Sequence, residues 1–249
     1  MRIIDKEIVE SDKVWSDFGW FILAFCKFCQ CKTMVELGVK YGDTTQKLCE
    51  AAKSTNGKVF AYDIFEAIGE YPDSPQCKLE AIESKLTSAG YDKSLFKITK
   101  INTTSDEFVK VLKEDTGGII DFAFIDADHS YSGVRNDFMK IYPFLADDGS
   151  IMFHDTFNHT GSRRFILDLY QDLNDGTFDV ISLPFGYHYH RCGLTILTKR
   201  SYPLNQDYQS RAGVPIYAHT SDVPFISTEE VFKAEREWYY KQIADKKKS

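Results

Sequence analysis

Two short stretches concentrate side chains able to do chemistry: Asp126-Ala127-Asp128-His129-Ser130-Tyr131 and His154-Asp155-Thr156. Each follows an apolar run, Phe122 to Asp126 and Ser150 to His154, so each is expected where a strand ends. If both strands open on one edge of a sheet, Asp126, His154 and Asp155 converge, with His129 one turn away. Carboxylate and imidazole donors of this kind suit a divalent cation, Mg2+, Mn2+ or another borderline transition ion. Such a cation can hold adjacent hydroxyl oxygens of a substrate and lower their pKa. An imidazole at His129 or His154, with an ordinary pKa of ~6.5, suits a general base at neutral pH. The plain alternative is that Asp126 caps the next helix and His154-Asp155 stitches a loop.

A second constellation lies earlier, at Val35-Glu36-Leu37-Gly38-Val39-Lys40-Tyr41-Gly42-Asp43-Thr44. Gly38 and Gly42 let the backbone turn tightly and approach a ligand closely. A helix starting near Thr44 offers free N–H groups and a positive dipole end to a carboxylate or phosphate. The next apolar run ends in Asp63, whose carboxylate can accept two hydrogen bonds from ribose hydroxyls. A nicotinamide dinucleotide calls for G-x-G-x-x-G, with a second glycine beside the pyrophosphate. Here the pattern is E-x-G-x-x-x-G, and the acid at Glu36 repels a pyrophosphate while suiting a ligand with a cationic amine. This favours S-adenosylmethionine (SAM) over NAD, and an NAD-dependent oxidoreductase is the rival reading.

The elements that must position these residues follow a regular grammar. Residues 14–30 read as an amphipathic helix, with Phe18, Phe21, Ile22, Phe25, Phe28 and Cys29 at three-four spacing. Apolar runs then follow at Met34 to Val39, Val59 to Ile64, Leu95 to Ile101, Phe122 to Asp126 and Ser150 to His154. Helices are expected between several of them: one opened by a capping box of Asp43 and Gln46, and one capped by Ser74 with Pro75 at its first position and ending at Gly90. Two more run from Ser132 to Leu145, stopping at Asp147-Asp148-Gly149, and from Thr160 to Asn174. Apolar strands separated by helices mean a parallel sheet covered on both faces. Phe178 to Leu183 and Gly193 to Thr198 are too close for a crossover helix and should pair antiparallel. The expected fold is α/β, Rossmann-like: a seven-stranded, mostly parallel sheet with an antiparallel last strand. Residues 1–200 form the main domain, and 201–249 form an extension of loop and helix (Thr228 to Lys246). Val231, Phe232, Trp238 and Tyr239 in that helix must be buried, against their own domain or in a homodimer.

The chain has 249 residues, with 30 Lys+Arg against 37 Asp+Glu and a net charge of −7. An acidic field argues against a nucleic-acid partner, since the only basic run is Lys246-Lys247-Lys248. No run approaches the ~18 apolar residues of a membrane span, and the start lacks a signal peptide's features. A cytoplasmic protein with reduced cysteines is expected. Cys26, Cys29 and Cys31 lack a second ligand pair for zinc and are read as core packing. His188, His190 and Cys192 alternate on one strand face and are expected to wall a substrate pocket, a metal site being the lesser reading; Tyr187 and Tyr189 either line that pocket or simply pack. The stretch from Glu66 to Asp73 is placed to cover a cofactor.

With these residues in view, the sequence resembles the class I SAM-dependent methyltransferases over roughly residues 30–200. Within them it looks like the small-molecule O-methyltransferases related to macrocin-type sugar methyltransferases and cephalosporin-hydroxylase-like proteins. The carrying motifs are Val35-Glu36-Leu37-Gly38 with Gly42, Asp63, Ile125-Asp126-Ala127-Asp128-His129-Ser130-Tyr131, and Phe153-His154-Asp155-Thr156. The resemblance implies SAM-dependent transfer of a methyl group to a hydroxyl of a small molecule, assisted by Mg2+ or Mn2+. It implies that Glu36, Gly38 and Gly42 frame the methionine moiety, beside the helix start at Thr44. Asp63 would hold the ribose, Thr104 or Ser105 would lie near the adenine, and Asp126 would border the cofactor. Metal-dependent catechol-type relatives carry a metal aspartate at the fourth strand end, matched by Asp126, and a lysine base three residues on, where this chain has His129. Their two adjacent oxygen donors at the fifth strand end correspond to His154 and Asp155. A metal-free enzyme with a histidine base and a catalytically silent binding protein are the other readings.

Overall fold

Met34 and Val35 are neighbours in sequence and both fully buried, yet they face different cores. That alternation is the signature of a strand covered on both sides. The computed structural model describes residues 17–66, 75–174, 176–185 and 192–201. In chain order the elements are α1 (Asp17–Phe28), β1 (Thr33–Leu37), α2 (Asp43–Thr55), β2 (Lys58–Asp63), α3 (Leu79–Ser88), β3 (Phe96–Lys100), α4 (Asp106–Thr116), β4 (Ile120–Ile125), α5 (Tyr131–Ile141), β5 (Leu145–His154), α6 (Thr160–Gln171), β6 (Phe178–Leu183) and β7 (Leu194–Lys199).

The seven strands form one sheet in the order β3-β2-β1-β4-β5-β7-β6. β1 to β5 pair in parallel, while β7 runs antiparallel to both β5 and β6. This is the expected α/β Rossmann-like sheet. One core lies under α1, α2 and α3 and includes Ile22, Met34, Leu48, Ile82 and Phe124. The other lies under α4, α5 and α6 and includes Val35, Leu112, Phe138, Phe153 and Phe165. The chain reverses its winding between β1 and β4, the topological switch point where such sheets open a ligand crevice.

Several boundaries differ from the sequence reading, each for a local reason. The first helix ends at Phe28; Phe28 is 88% exposed, and Cys29 is exposed as well. Only Cys26 and Cys31 of the three cysteines enter the core. The Asp43 capping box does not form. Gly42, at φ +70°, is the capping position of α2 without a side-chain cap, and Asp43 pairs with Lys85 instead. Pro75 opens a single 3-10 turn, Pro75–Cys77, and α3 starts only at Leu79. Ser74 lies outside the described residues. α5 stops at Ile141 because Pro143 follows in a 3-10 turn, where a ring without an N–H cannot continue the helix. Asp147-Asp148-Gly149, expected as a helix stop, lie within β5, beside a shift in its register with β4. α6 ends at Gln171, short of Asn174.

α4 was not expected. Its apolar face is thin, with Phe108 and Leu112 buried one turn apart and charged residues around them. Gly117 at φ +66° ends it. Among the described residues no helix is long and apolar enough to cross a membrane. The helix expected at 228–246 and the histidines of 188–190 lie outside the described residues.

Candidate active site

Sheet register brings Asp126 and His154 together. Phe124 pairs with Met152 and Ile125 with Phe153, so one residue further on the two side chains are neighbours at the carboxyl edge. The period of two puts His154 on the face of Met152 and Phe124, beneath α1. The Phe18 ring of α1 lies 4.4 Å from the His154 ring and the Phe124 ring 6.0 Å from it. α1 therefore supplies an apolar wall to a polar site.

His154 Nδ1 is 3.0 Å from Asp126 Oδ1 and 3.6 Å from Asp155 Oδ2. His129, in the loop before α5, brings Nε2 to 3.3 Å from Asp126 Oδ1 and 2.9 Å from Asp155 Oδ2. That nitrogen is buried and neither carboxylate meets it with hydrogen-bond geometry. One donor atom from each of Asp126, His129, His154 and Asp155 lies within 4.8 Å of every other. The three predicted metal ligands and both predicted base candidates are thus a single cluster. Sequence reasoning missed His159. Its Nε2 is 3.6 Å from Asp155 Oδ2 and its ring 4.3 Å from that of His129. The i,i+4 spacing from Asp155 was the available signal.

Asp128 has a different job. Its carboxylate accepts from the Ser130 N–H at 2.8 Å and the Ser130 hydroxyl at 2.9 Å, and Ser130 Oγ caps α5 by accepting from Gly133 N–H. It builds the turn that presents His129.

Charge sets the protonation of the cluster. Burial alone would raise the Asp126 pKa, but the His154 and His129 rings outweigh it and hold the carboxyl well below its usual range. Burial would lower His129, yet Asp126 and Asp155 push it up to about 9. Burial would likewise lower His154, which the Asp126 carboxylate chiefly pushes up to about 10. Asp155 is lowered: burial opposes this, and the His129 ring overcomes it. Histidines with raised native pKa values stabilise the fold fully below their unfolded value of ~6.5 and lose that contribution as pH rises through the native values. Carboxylates with depressed values contribute above ~3.8 and lose it in acid. Thermal melts in chelator should therefore show greatest stability between pH ~4 and ~6.5 and a decline toward pH 10. His154→Gln should flatten the alkaline limb, and an unchanged limb in that variant would refute the assignment.

The glycine loop lies directly beside this cluster. Gly38 N–H donates to Tyr62 O at 2.9 Å, and Asp126 N–H donates to Leu37 O at 2.8 Å. Asp63 fastens the loop: Oδ2 accepts from Val39 N–H at 2.7 Å and Lys40 N–H at 3.1 Å, and Oδ1 from Phe65 N–H at 2.7 Å. A carboxylate has about four acceptor positions, so roughly one remains for a ribose hydroxyl. Glu36 is 1% exposed and accepts from Thr45 Oγ1 at 2.6 Å, joining the end of β1 to the first turn of α2 beside the buried Thr44. Burial pushes its pKa well up. After β3, Thr104 N–H and Oγ1–H donate to Asn102 Oδ1, and Ser105 Oγ–H donates to Asn102 O. Lys140 donates to Thr103 O and Ser105 O, tying this turn to α5. Phe157 N–H donates to Cys192 O at 2.8 Å, which attaches the β6–β7 connection to the loop after β5.

Residues 35–156 match a protein-family profile described as a methyltransferase domain. That span includes the glycine loop and all four cluster residues. A search of curated proteins returns no match. Among solved structures, cofactor-bound Rv0187 from MTB superposes with a TM-score of 0.58 at 16% identity, over 81% of this chain and 84% of that one. An O-methyltransferase from Bacillus cereus in complex with SAH (S-adenosylhomocysteine) gives 0.60 at 14% identity, over 74% and 80%. The O-methyltransferase TomG from Streptomyces achromogenes, involved in tomaymycin synthesis and solved with SAM, gives 0.58 at 15% identity, over 74% and 80%. Likeness at such identities speaks to fold alone. The chain has the Rossmann-like methyltransferase fold, and the segment that carries its candidate site is matched as a methyltransferase domain.

Proposed function

We propose that this protein transfers the methyl group of SAM to a hydroxyl oxygen of a small molecule, with a divalent cation at the cluster, in the manner of the macrocin-type and cephalosporin-hydroxylase-like branch. The observation that carries the reading is the placement of Asp126, His129, His154 and Asp155 at the switch point, one backbone hydrogen bond from the glycine loop. The donor set fits a cation: two carboxylates and two imidazoles share one small volume, and the buried His129 Nε2 is left without a hydrogen bond. Asp126, His154 and Asp155 would hold the ion, whose charge, when bound, stabilises the deprotonated form of a neighbouring acceptor oxygen.

The chain's own residues do the positioning. Asp63 fixes the loop that receives the nucleoside and offers its remaining lone pair to the ribose. The free N–H groups at the start of α2 face the ligand's carboxylate. Glu36, driven toward its neutral form by burial, regains charge beside a cationic amine, which makes amine binding and ionisation mutually supporting. Methyl transfer is an in-line displacement, so most of the gain comes from holding oxygen and methyl in line. Where no ion is bound, the acceptor's proton goes to His129 or His154, and only a ring released from its carboxylate partners can take it.

Isothermal titration with S-adenosylhomocysteine, with and without divalent ions, tests the reading. We expect binding of S-adenosylhomocysteine, and transfer of labelled methyl from SAM to hydroxylated acceptors only when an ion is supplied. Binding of NAD with no response to S-adenosylhomocysteine would end it.

A further inference from the structure

We infer that the cluster is a mixed nitrogen–oxygen centre for a borderline first-row transition ion rather than for Mg2+, with His129 as its fourth ligand and not a free base. This rests on reading the cluster as a cation site, and it concerns which ion and which donors.

The first argument is spacing. Cations bound by carboxylate oxygen and imidazole nitrogen have bonds of ~2.1 Å, so neighbouring donors stand ~3.0 Å apart at right angles and ~3.4 Å apart in a tetrahedron. The four measured separations around the cluster, His129 Nε2 to Asp155 Oδ2, Asp126 Oδ1 to His154 Nδ1, His129 Nε2 to Asp126 Oδ1 and His154 Nδ1 to Asp155 Oδ2, are 2.9, 3.0, 3.3 and 3.6 Å. They bracket those edges.

The second argument is direction. His129 Nε2 sits between two carboxylate oxygens, yet neither contact has hydrogen-bond geometry. A buried ring nitrogen left in that state is costly. An ion among the four donors would satisfy it with its lone pair. The Asp128–Ser130 turn holds the loop that presents this ring, so its position does not depend on the ion.

The third argument is donor type. Mg2+ seeks oxygen and retains water, whereas imidazole suits zinc, copper, iron and nickel. Two of the four donors here are nitrogen. His159 is half exposed, and Asp155 is the one cluster carboxylate it reaches, so it stands outside the set.

The test uses the full chain, stripped with chelator and titrated with Co2+, Mn2+ and Mg2+. We expect Co2+ to bind much more tightly than Mg2+, and His129→Ala to weaken Co2+ by at least about tenfold while barely changing Mg2+. Electron spin-echo measurements on the Mn2+-loaded protein should show two imidazole nitrogens in the natural sequence and one in His129→Ala. His129→Gln gives the same comparison should the alanine variant fold poorly, and the two-nitrogen signal needs no variant. Mg2+ binding as tightly as Co2+, or a single nitrogen in the natural sequence, would overturn the inference. So would Co2+ affinity that ignores His129. Ions binding without S-adenosylhomocysteine would leave this inference standing and sink the methyl-transfer reading. S-adenosylhomocysteine binding without ions would sink this inference and the ion assistance of the proposed function, and leave methyl transfer itself standing.

Discussion

Asp155→Asn will lower methyl transfer by on the order of 10²–10³-fold and leave the melting temperature within a few degrees of the natural protein's. The two halves have separate causes. Asp155 Oδ2 is one of the four converging donors and the closest contact of His129 Nε2 at 2.9 Å, so an amide removes charge from the centre of the cluster. The backbone reacts differently. Asp155 sits at φ +56°, in the left-handed region. Asparagine and aspartate tolerate that conformation better than other residues with a Cβ. Asparagine therefore keeps the turn and discards the charge.

Asp155→Ala should separate the two contributions. It removes the same carboxylate but also places an intolerant residue at positive φ, a strain of about 1–2 kcal/mol. It should lose the same activity and melt lower than the asparagine variant. Asp155→Gly removes the strain and should melt no lower than Asp155→Asn. Ion titration alongside activity completes the test. If Asp155→Asn keeps full turnover and full ion affinity, the cluster is a structural ion-pair network.

Much of this arrangement was legible in the sequence because it follows from strand periodicity. Five apolar runs gave the parallel strands, the short link between 183 and 193 gave the antiparallel pair, and strand ends with Asp126, His154 and Asp155 gave the cluster. Register did the rest, since parallel strands end on one edge. What was hidden depended on contacts distant in sequence or on competition between local signals. α4 is only three turns long, and its buried stripe of Phe108, Leu112 and Thr116 is crowded by acidic and basic neighbours, which hid it. The Asp43 cap lost to a left-handed Gly42 and to Lys85, a residue 42 positions away. Asp63 looked like a ribose ligand alone, whereas three backbone N–H groups already hold it. His159 stood outside any strand end and enters as the capping residue before α6. Asp128 looked as chemical as Asp126, and only geometry shows it building a turn.

Gly38→Ala will destabilise the protein by about 3 kcal/mol or more, lowering the melting temperature by roughly 10 °C for a domain of this size. Two costs combine. Gly38 has φ +91°, which disfavours any residue with a Cβ. A Cβ there would also lie 2.3 Å from Asp126 O, 2.6 Å from its carbonyl carbon and 2.8 Å from Ala127 N. All three are backbone atoms at the end of β4, so no side chain can turn aside. The only relief is to push Asp126 away from β1, which separates the glycine loop from the cluster. Binding of S-adenosylhomocysteine and of divalent ions should therefore fall together in whatever fraction still folds. Other glycines calibrate the effect. At Gly42, φ +70°, an added Cβ meets Ile82 Cγ2 at 2.6 Å, a side-chain atom able to shift, so alanine there should cost less. At Gly90, φ +87°, nothing lies within 4 Å, and only the backbone strain of about 1 kcal/mol should remain. Melting curves should rank Gly38→Ala lowest, then Gly42→Ala, then Gly90→Ala. A Gly38→Ala protein as stable as Gly90→Ala would mean that β1 and β4 do not meet at their carboxyl ends. The site built on their junction would fail with them.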